Sequence, residues 1–222
     1  MIKLSKTEEP QILLDNGPNW TKVIVDKIAV GETPTDTEKT RYRHPDIKAA
    51  LVAETNGKCA YCESKVLHIH HGDVEHIYPK SLDPSKTVEW ENLTLACEIC
   101  NQNKSNRDPY LQHIIDPYII NPSEHLTFAG ALILSKGSAH GTNSRAILDL
   151  NRGNLVERRQ EKLEGLIAIA ENVFRLDLPQ ATRQAIYDNF VANDAAPEAP
   201  FSAMAISFLE QVKQNLPADI AA

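Results

Sequence analysis

Apolar positions change their spacing several times along the chain, and each change marks an element. Over residues 155–176, Leu155, Val156, Leu163, Leu166, Ile167, Ala170, Val173 and Phe174 fall on one face at helical spacing, which predicts a long amphipathic helix. Further helices are predicted over residues 179–193 and 201–215, parted by Ala195-Ala196-Pro197-Glu198-Ala199-Pro200. Upstream, Pro45 in a first turn followed by Ile47, Ala50 and Leu51 predicts a helix that stops at Asn56-Gly57. The first 43 residues are polar with short apolar runs. There Asn16-Gly17-Pro18-Asn19 reads as a turn, residues 20–28 as a short helix and residues 31–36 as a loop. Residues 64–78 have room for two short strands, residues 92–106 for a loop and a short helix, and Leu132-Ile133-Leu134 is strand-like. The pattern predicts an α+β protein in three parts: an N-terminal region over 1–44, a cysteine-bearing core over 45–116, and a mainly helical C-terminal region over 117–222.

Composition is that of an ordinary globular chain, 42% hydrophobic and 24% charged, so a packed core is expected. No apolar run is long enough to span a bilayer. The first residues carry no apolar segment of the secretory kind, and a cytoplasmic location is expected. The net charge of −7 is spread along the chain without a basic tail. This argues against binding nucleic acid by bulk electrostatics alone, because phosphate neutralisation needs clustered Lys and Arg. A local patch or a partner would have to supply the attraction.

The four cysteines fall in two pairs, Cys59-x-x-Cys62 and Cys97-x-x-Cys100. Each pair can make a tight turn that aims two thiolates at one point, and two such turns complete a tetrahedron around Zn²⁺. With four thiolate ligands the site is closed. The zinc would therefore be structural, clamping two segments that lie far apart in sequence. Single CxxC redox motifs sit in another context.

Between the pairs lies Asp73-Val74-Glu75-His76-Ile77-Tyr78-Pro79-Lys80-Ser81, followed by Trp90-Glu91-Asn92-Leu93 and then Cys100-Asn101-Gln102-Asn103-Lys104. This order resembles the HNH, or ββα-metal, endonucleases: an acid-His-Ile-x-Pro-x-Ser strand, an Asn-Leu in the loop, and Cys-Asn-x-x-Lys on the helix. An asparagine in place of the last histidine makes it the H-N-N variant. The resemblance implies a ββα-metal fold around the cysteine knot and metal-dependent hydrolysis of phosphodiester bonds in DNA. His76 would be the general base, since imidazole titrates near neutral pH. Glu75 and Asn101 match the family's metal ligands, and a carboxylate with an amide oxygen suits Mg²⁺ or Mn²⁺. On a regular strand Glu75 and His76 point to opposite faces, so spacing alone does not bring them to one site. Asn92 would brace the loop and orient His76. Lys104 would either reach a phosphate or pack its stem on the helix. Asp73 is an extra ligand or a structural group. His68, His70 and His71 form either a second metal site or a solvated hairpin.

The stretches Cys59-Ala60-Tyr61-Cys62-Glu63 and Cys97-Glu98-Ile99-Cys100-Asn101 are also similar to the retron-associated and Septu-type HNH proteins. In that family the nuclease acts in antiphage defence beside an ABC/SMC-like ATPase of the PtuA type. The resemblance thus implies DNA as substrate and a hetero-oligomeric ATPase partner. A non-catalytic zinc-binding adaptor and a stand-alone restriction endonuclease are the alternatives. The C-terminal helices would serve as a private core or as a docking face.

Overall fold

The computed structural model describes residues 1–66 and 71–221. The chain opens with helix α1 (Gln11–Ala29), which runs without a break through Gly17 and Pro18. The turn expected there is not formed. Pro18 removes one backbone donor and a mid-helix proline costs about 3 kcal/mol. Burial of Leu13, Gly17 and Ile24 against the rest of the molecule outweighs that local cost. Residues 31–34 are loop, as expected, and Thr35 then caps α2 (Asp36–Thr40) in a reciprocal capping box with Glu38. A 3₁₀ turn (Arg41–Arg43) leads into α3 (Pro45–Glu54), which ends at Asn56 and Gly57, both in the left-handed region.

The central element is a two-stranded antiparallel sheet. Strand β1 (Asp73–His76) pairs with β2 (Leu93–Ala96) in the register Asp73 to Ala96 and His76 to Leu93. Part of the span read as a loop ahead of the helix is therefore a strand. All four β2 residues are buried, and a fully buried strand shows no alternation to read. Helix α4 (Glu98–Lys104) follows directly and packs on β1, completing a ββα unit; α3 packs on β2. The expected histidines His68 and His70 lie outside the described residues.

A hairpin of β3 (Leu126–Ala129) and β4 (Leu132–Ser135) comes next, with β4 where the strand-like triplet stands. Helix α5 (Ala139–Ile147) lies against β4. The three C-terminal helices are α6 (Gly153–Phe174), α7 (Gln180–Asn189), which runs into a π turn (Phe190–Asp194), and α8 (Ser202–Lys213). The buried stripe of α6 is Leu155, Arg159, Leu163, Leu166, Ala170 and Val173. Ile167, expected on that stripe, stays 39% exposed. In the stripe stands Arg159, whose guanidinium donates to the Ala131 carbonyl at 2.6 Å and to the Leu150 carbonyl. Desolvation lowers its pKa to about 10, so it remains charged while it ties α6 to the β3–β4 turn.

One contiguous cluster of buried side chains joins Leu13, Leu51, Leu95, Leu148, Leu166 and Met204. The ββα unit and the C-terminal helices thus share a core. No helix among the described residues is long and apolar enough to cross a membrane.

Candidate active site

The two cysteine pairs meet. All four Sγ atoms lie within 4.8 Å of one another, with Cys59, Cys62 and Cys100 buried and Cys97 half-buried. The first pair sits in the turn after α3, where Glu63 takes a positive φ and the Ala60 amide donates to the Leu95 carbonyl at 2.9 Å. The second pair opens α4, with Cys97 at its N-cap and Cys100 on its inner face. Arg152, just ahead of α6, places its guanidinium 3.7 Å from Cys97 Sγ and 3.7 Å from Cys100 Sγ. Four converging soft donors fit a tetrahedral Zn²⁺, and a neighbouring cation offsets the negative charge of a tetrathiolate. Arg152 was not singled out from the sequence. Its only signal there is a basic residue ahead of a helix, which is common.

Beside this cluster a cleft of about 550 Å³ is lined by Tyr42, Arg43, Lys48, Asp73, Glu75, His76, Lys80 and Asn101, among others. Glu75 and His76 are consecutive, yet both line it. His76 is the last residue of β1, still paired with Leu93, and the chain bends just beyond it at Ile77 and Tyr78, so the cleft runs along this end of the strand.

His76 is 7% exposed. Its Nε2 lies 2.9 Å from the Thr87 carbonyl, and its ring stands edge-on to Tyr42 at 4.5 Å. A carbonyl only accepts, so Nε2 carries the proton and Nδ1 holds the lone pair. Burial lowers the imidazole pKa to about 3, against the Thr87 bond, which raises it; Lys80, Lys104 and Arg43 add to the lowering. The ring is therefore neutral at physiological pH, in the form that accepts a proton.

Asn92 makes no hydrogen bond to the imidazole. Its side chain accepts from the Tyr78 amide at 2.7 Å and donates to the carbonyls of Tyr78 at 2.9 Å and Lys86 at 3.1 Å. It staples both ends of the 77–87 loop, and that loop presents the Thr87 carbonyl to His76.

Glu75 is buried, with Oε1 2.8 Å from Lys104 Nζ in an ion pair but outside aligned hydrogen-bond geometry. Desolvation raises its pKa, and Lys104 opposes that. A buried carboxylate oxygen with coordination to spare fits a hard-cation ligand. Asn101 donates from Nδ2 to Asp73 Oδ2 at 2.9 Å, which orients the amide and leaves its carbonyl oxygen uncommitted. Lys104 is 1% exposed and also donates to the His76 carbonyl at 2.8 Å. Its ammonium is taken up inside the protein, so the geometry favours a brace between α4 and β1 over a phosphate contact. His71 lines the same cleft.

The cleft's cations Arg43, Lys48 and Lys80 were missed by motif reasoning. Arg43 and Lys48 come from the segment ahead of the first cysteine pair; Lys48 donates to the Gly72 carbonyl at 3.0 Å, and Lys80 lies over the Tyr42 ring at 3.8 Å. The basic run Arg41-Tyr42-Arg43-His44 was the available sequence signal. It gives this acidic chain a local positive wall.

The sequence model of the HNH endonuclease family matches residues 59–107. The Septu protein PtuB of Bacillus thuringiensis is 34% identical over 143 residues, covering 60% of this chain and 55% of that protein. The Septu protein PtuB of Bacillus mycoides (strain KBAB4) is 26% identical over 196 residues, covering 72% of this chain and 66% of that protein. The chain thus spans little more than half the length of the first of these relatives. With the cysteine cluster, the ββα unit and the cleft carrying His76 all inside or beside the matched span, residues 59–107 are an HNH endonuclease domain in a chain similar to the Septu PtuB proteins.

Proposed function

We propose that the protein is a metal-dependent DNA endonuclease of a Septu-type antiphage defence system, working with an ATPase partner. The observation that carries the reading is the convergence of His76, Glu75 and Asn101 on one basic-walled cleft braced by the cysteine cluster. Mg²⁺ or Mn²⁺ on the Glu75 carboxylate and the Asn101 carbonyl would supply Lewis acidity at the phosphate. Structural Zn²⁺ would sit among Cys59, Cys62, Cys97 and Cys100.

The residues of the chain then divide the work. The scissile phosphate enters against Arg43, Lys48 and Lys80, which attract its charge. His76 accepts a proton from the attacking water at Nδ1, while the Thr87 carbonyl fixes the ring from the far side. Asn92 keeps that carbonyl in place. Asp73 holds the Asn101 amide in one orientation. The partner is inferred from the similarity to the Septu PtuB proteins and from the net charge of −7, which leaves little long-range attraction to DNA beyond the cleft itself.

Plasmid cleavage in Mg²⁺ or Mn²⁺, with and without the ATPase, tests the reading. Cutting should require the divalent ion and increase with the partner. His76→Ala should lower the rate by about 10²-fold or more while the circular dichroism spectrum is unchanged. Undiminished cutting by that variant would remove His76 from the chemistry. A folded, zinc-loaded protein that never cuts would favour an adaptor.

A further inference from the structure

The geometry points to a third metal site, for a divalent first-row transition cation, formed by His113, His125 and His140. None of the three belongs to the ββα unit, and the cleft does not use them. They come from three separate places: the loop after α4, the residue before β3, and the second residue of α5. Yet the His113 and His140 ring centroids are 5.2 Å apart, and those of His125 and His140 are 5.3 Å apart. Two imidazoles bound to one tetrahedral ion stand at a similar spacing, roughly 5 Å, given metal–nitrogen bonds near 2 Å.

The fold holds the three segments together by specific contacts. Gly141 brings α5 so close to the His125 backbone that a Cβ there would lie 2.2 Å from the His125 carbonyl oxygen. That approach is open only to glycine. The 112–115 segment is tied to the same helix twice, by Asn143 Nδ2 to the Gln112 carbonyl at 2.8 Å and by the Ile115 amide to Ser144 Oγ at 2.7 Å. His113 itself sits at φ 51 between those ties. His125 Nδ1 lies 2.8 Å from Ser138 Oγ, and Ser138 Oγ also accepts from the Gly141 amide at 3.1 Å. In the tautomer whose Nδ1 donates to the hydroxyl, Nε2 of His125 keeps its lone pair for a ligand, an arrangement common at metal-bound imidazoles. Ordinary ring packing does not require three histidines, and imidazole sets suit Zn²⁺, Ni²⁺ and Cu²⁺.

Among the described residues, the four cysteines are the group whose ligand atoms already converge. His113 stands edge-on to His140 and His125 is tilted by 48° to it, so closing on an ion requires the rings to turn. His113 is exposed and His140 half-buried, which leaves them room to do so.

Zinc-loaded protein should be titrated with Ni²⁺ by calorimetry in excess Mg²⁺, with Glu75→Gln as a control for the cleft. One Ni²⁺ should bind in both the parent and Glu75→Gln. Affinity should fall at least tenfold in His140→Ala and in His113→Ala, the latter altering an exposed side chain. Co²⁺ bound there should give visible bands without the thiolate charge-transfer absorption of a cysteine site. Equal Ni²⁺ affinity in the parent and both histidine variants, loss of binding in Glu75→Gln alone, or no stoichiometric binding would each overturn the proposal.

Discussion

His76 and Asn92 play different parts, and their chemistry separates them. Because burial holds the His76 pKa at about 3, below the ordinary value of 6.5, the folded state takes up fewer protons than the unfolded chain between those values. The stability it contributes is therefore complete above about pH 6.5 and drains away as pH falls toward 3. The prediction is a ring that stays neutral to near pH 4 in NMR titration. Unfolding free energy should also drop less steeply with acid in His76→Asn. A ring that titrates near 6.5 in the folded protein contradicts this. Asn92→Ala removes three hydrogen bonds at a buried position and leaves the Tyr78 amide and two carbonyls unpaired. The expected cost is about 1–3 kcal/mol in denaturant unfolding, with slower cleavage because the Thr87 carbonyl loses its support. The sequence shows both residues plainly as types in a motif. It does not show that Asn92 acts through the 77–87 loop, since that depends on where the loop's backbone carbonyls point.

At the scale of elements, α1 is the clearest case of tertiary contacts overriding local preference. Gly17-Pro18 in a polar stretch is a strong turn signal, yet the helix continues and packs near the Pro84–Thr87 turn. Pro18 is exposed, so replacing it should relieve strain without opening a cavity. Pro18→Ala is expected to raise the melting temperature, with a gain of up to about 3 kcal/mol. A lowered melting temperature would mean that the proline ring makes a contact the helix needs. β2 went unread for a different reason: a strand buried on both faces carries no alternating pattern. On α6, periodicity located the helix, but hydropathy passed over Arg159 because its burial depends on carbonyls from the β3–β4 turn and Leu150.

At the scale of the molecule, the cysteine cluster joins the core to the C-terminal helices. Glu63, beside Cys62, accepts from Ser202 Oγ at 2.8 Å and from the Ala203 amide at 3.1 Å, where α8 begins. Lys58 reaches the Ala199 carbonyl at 3.0 Å from the same turn. Arg152 bridges Cys97 and Cys100 to the start of α6. Stripping the zinc proposed for the four cysteines with a strong chelator should therefore do more than loosen the ββα unit. Near-ultraviolet dichroism should be lost across the molecule, and protease sites should open in α6 and α8 as well as around the cysteines. Protection of the C-terminal helices in the apo protein would show that their packing stands without the knot.

The sequence alone determined the motif, two cysteine pairs around the order Glu75, His76, Asn92 and Asn101. Paired cysteines, the Glu75-His76 step, Asn92 and Asn101 are readable because few residue types suit ligand or base chemistry, and a tight turn fixes the spacing within each cysteine pair. The long helices were equally readable, since a one-sided apolar stripe repeats locally. Tertiary structure decided what depends on contacts between distant segments: the cleft that Glu75, His76 and Asn101 line together, the basic wall from Arg43 and Lys48, the burial of Lys104 and Arg159, and the approach of His113, His125 and His140. Burial, field and backbone approach belong to pairs of segments, and no single stretch of the chain records them.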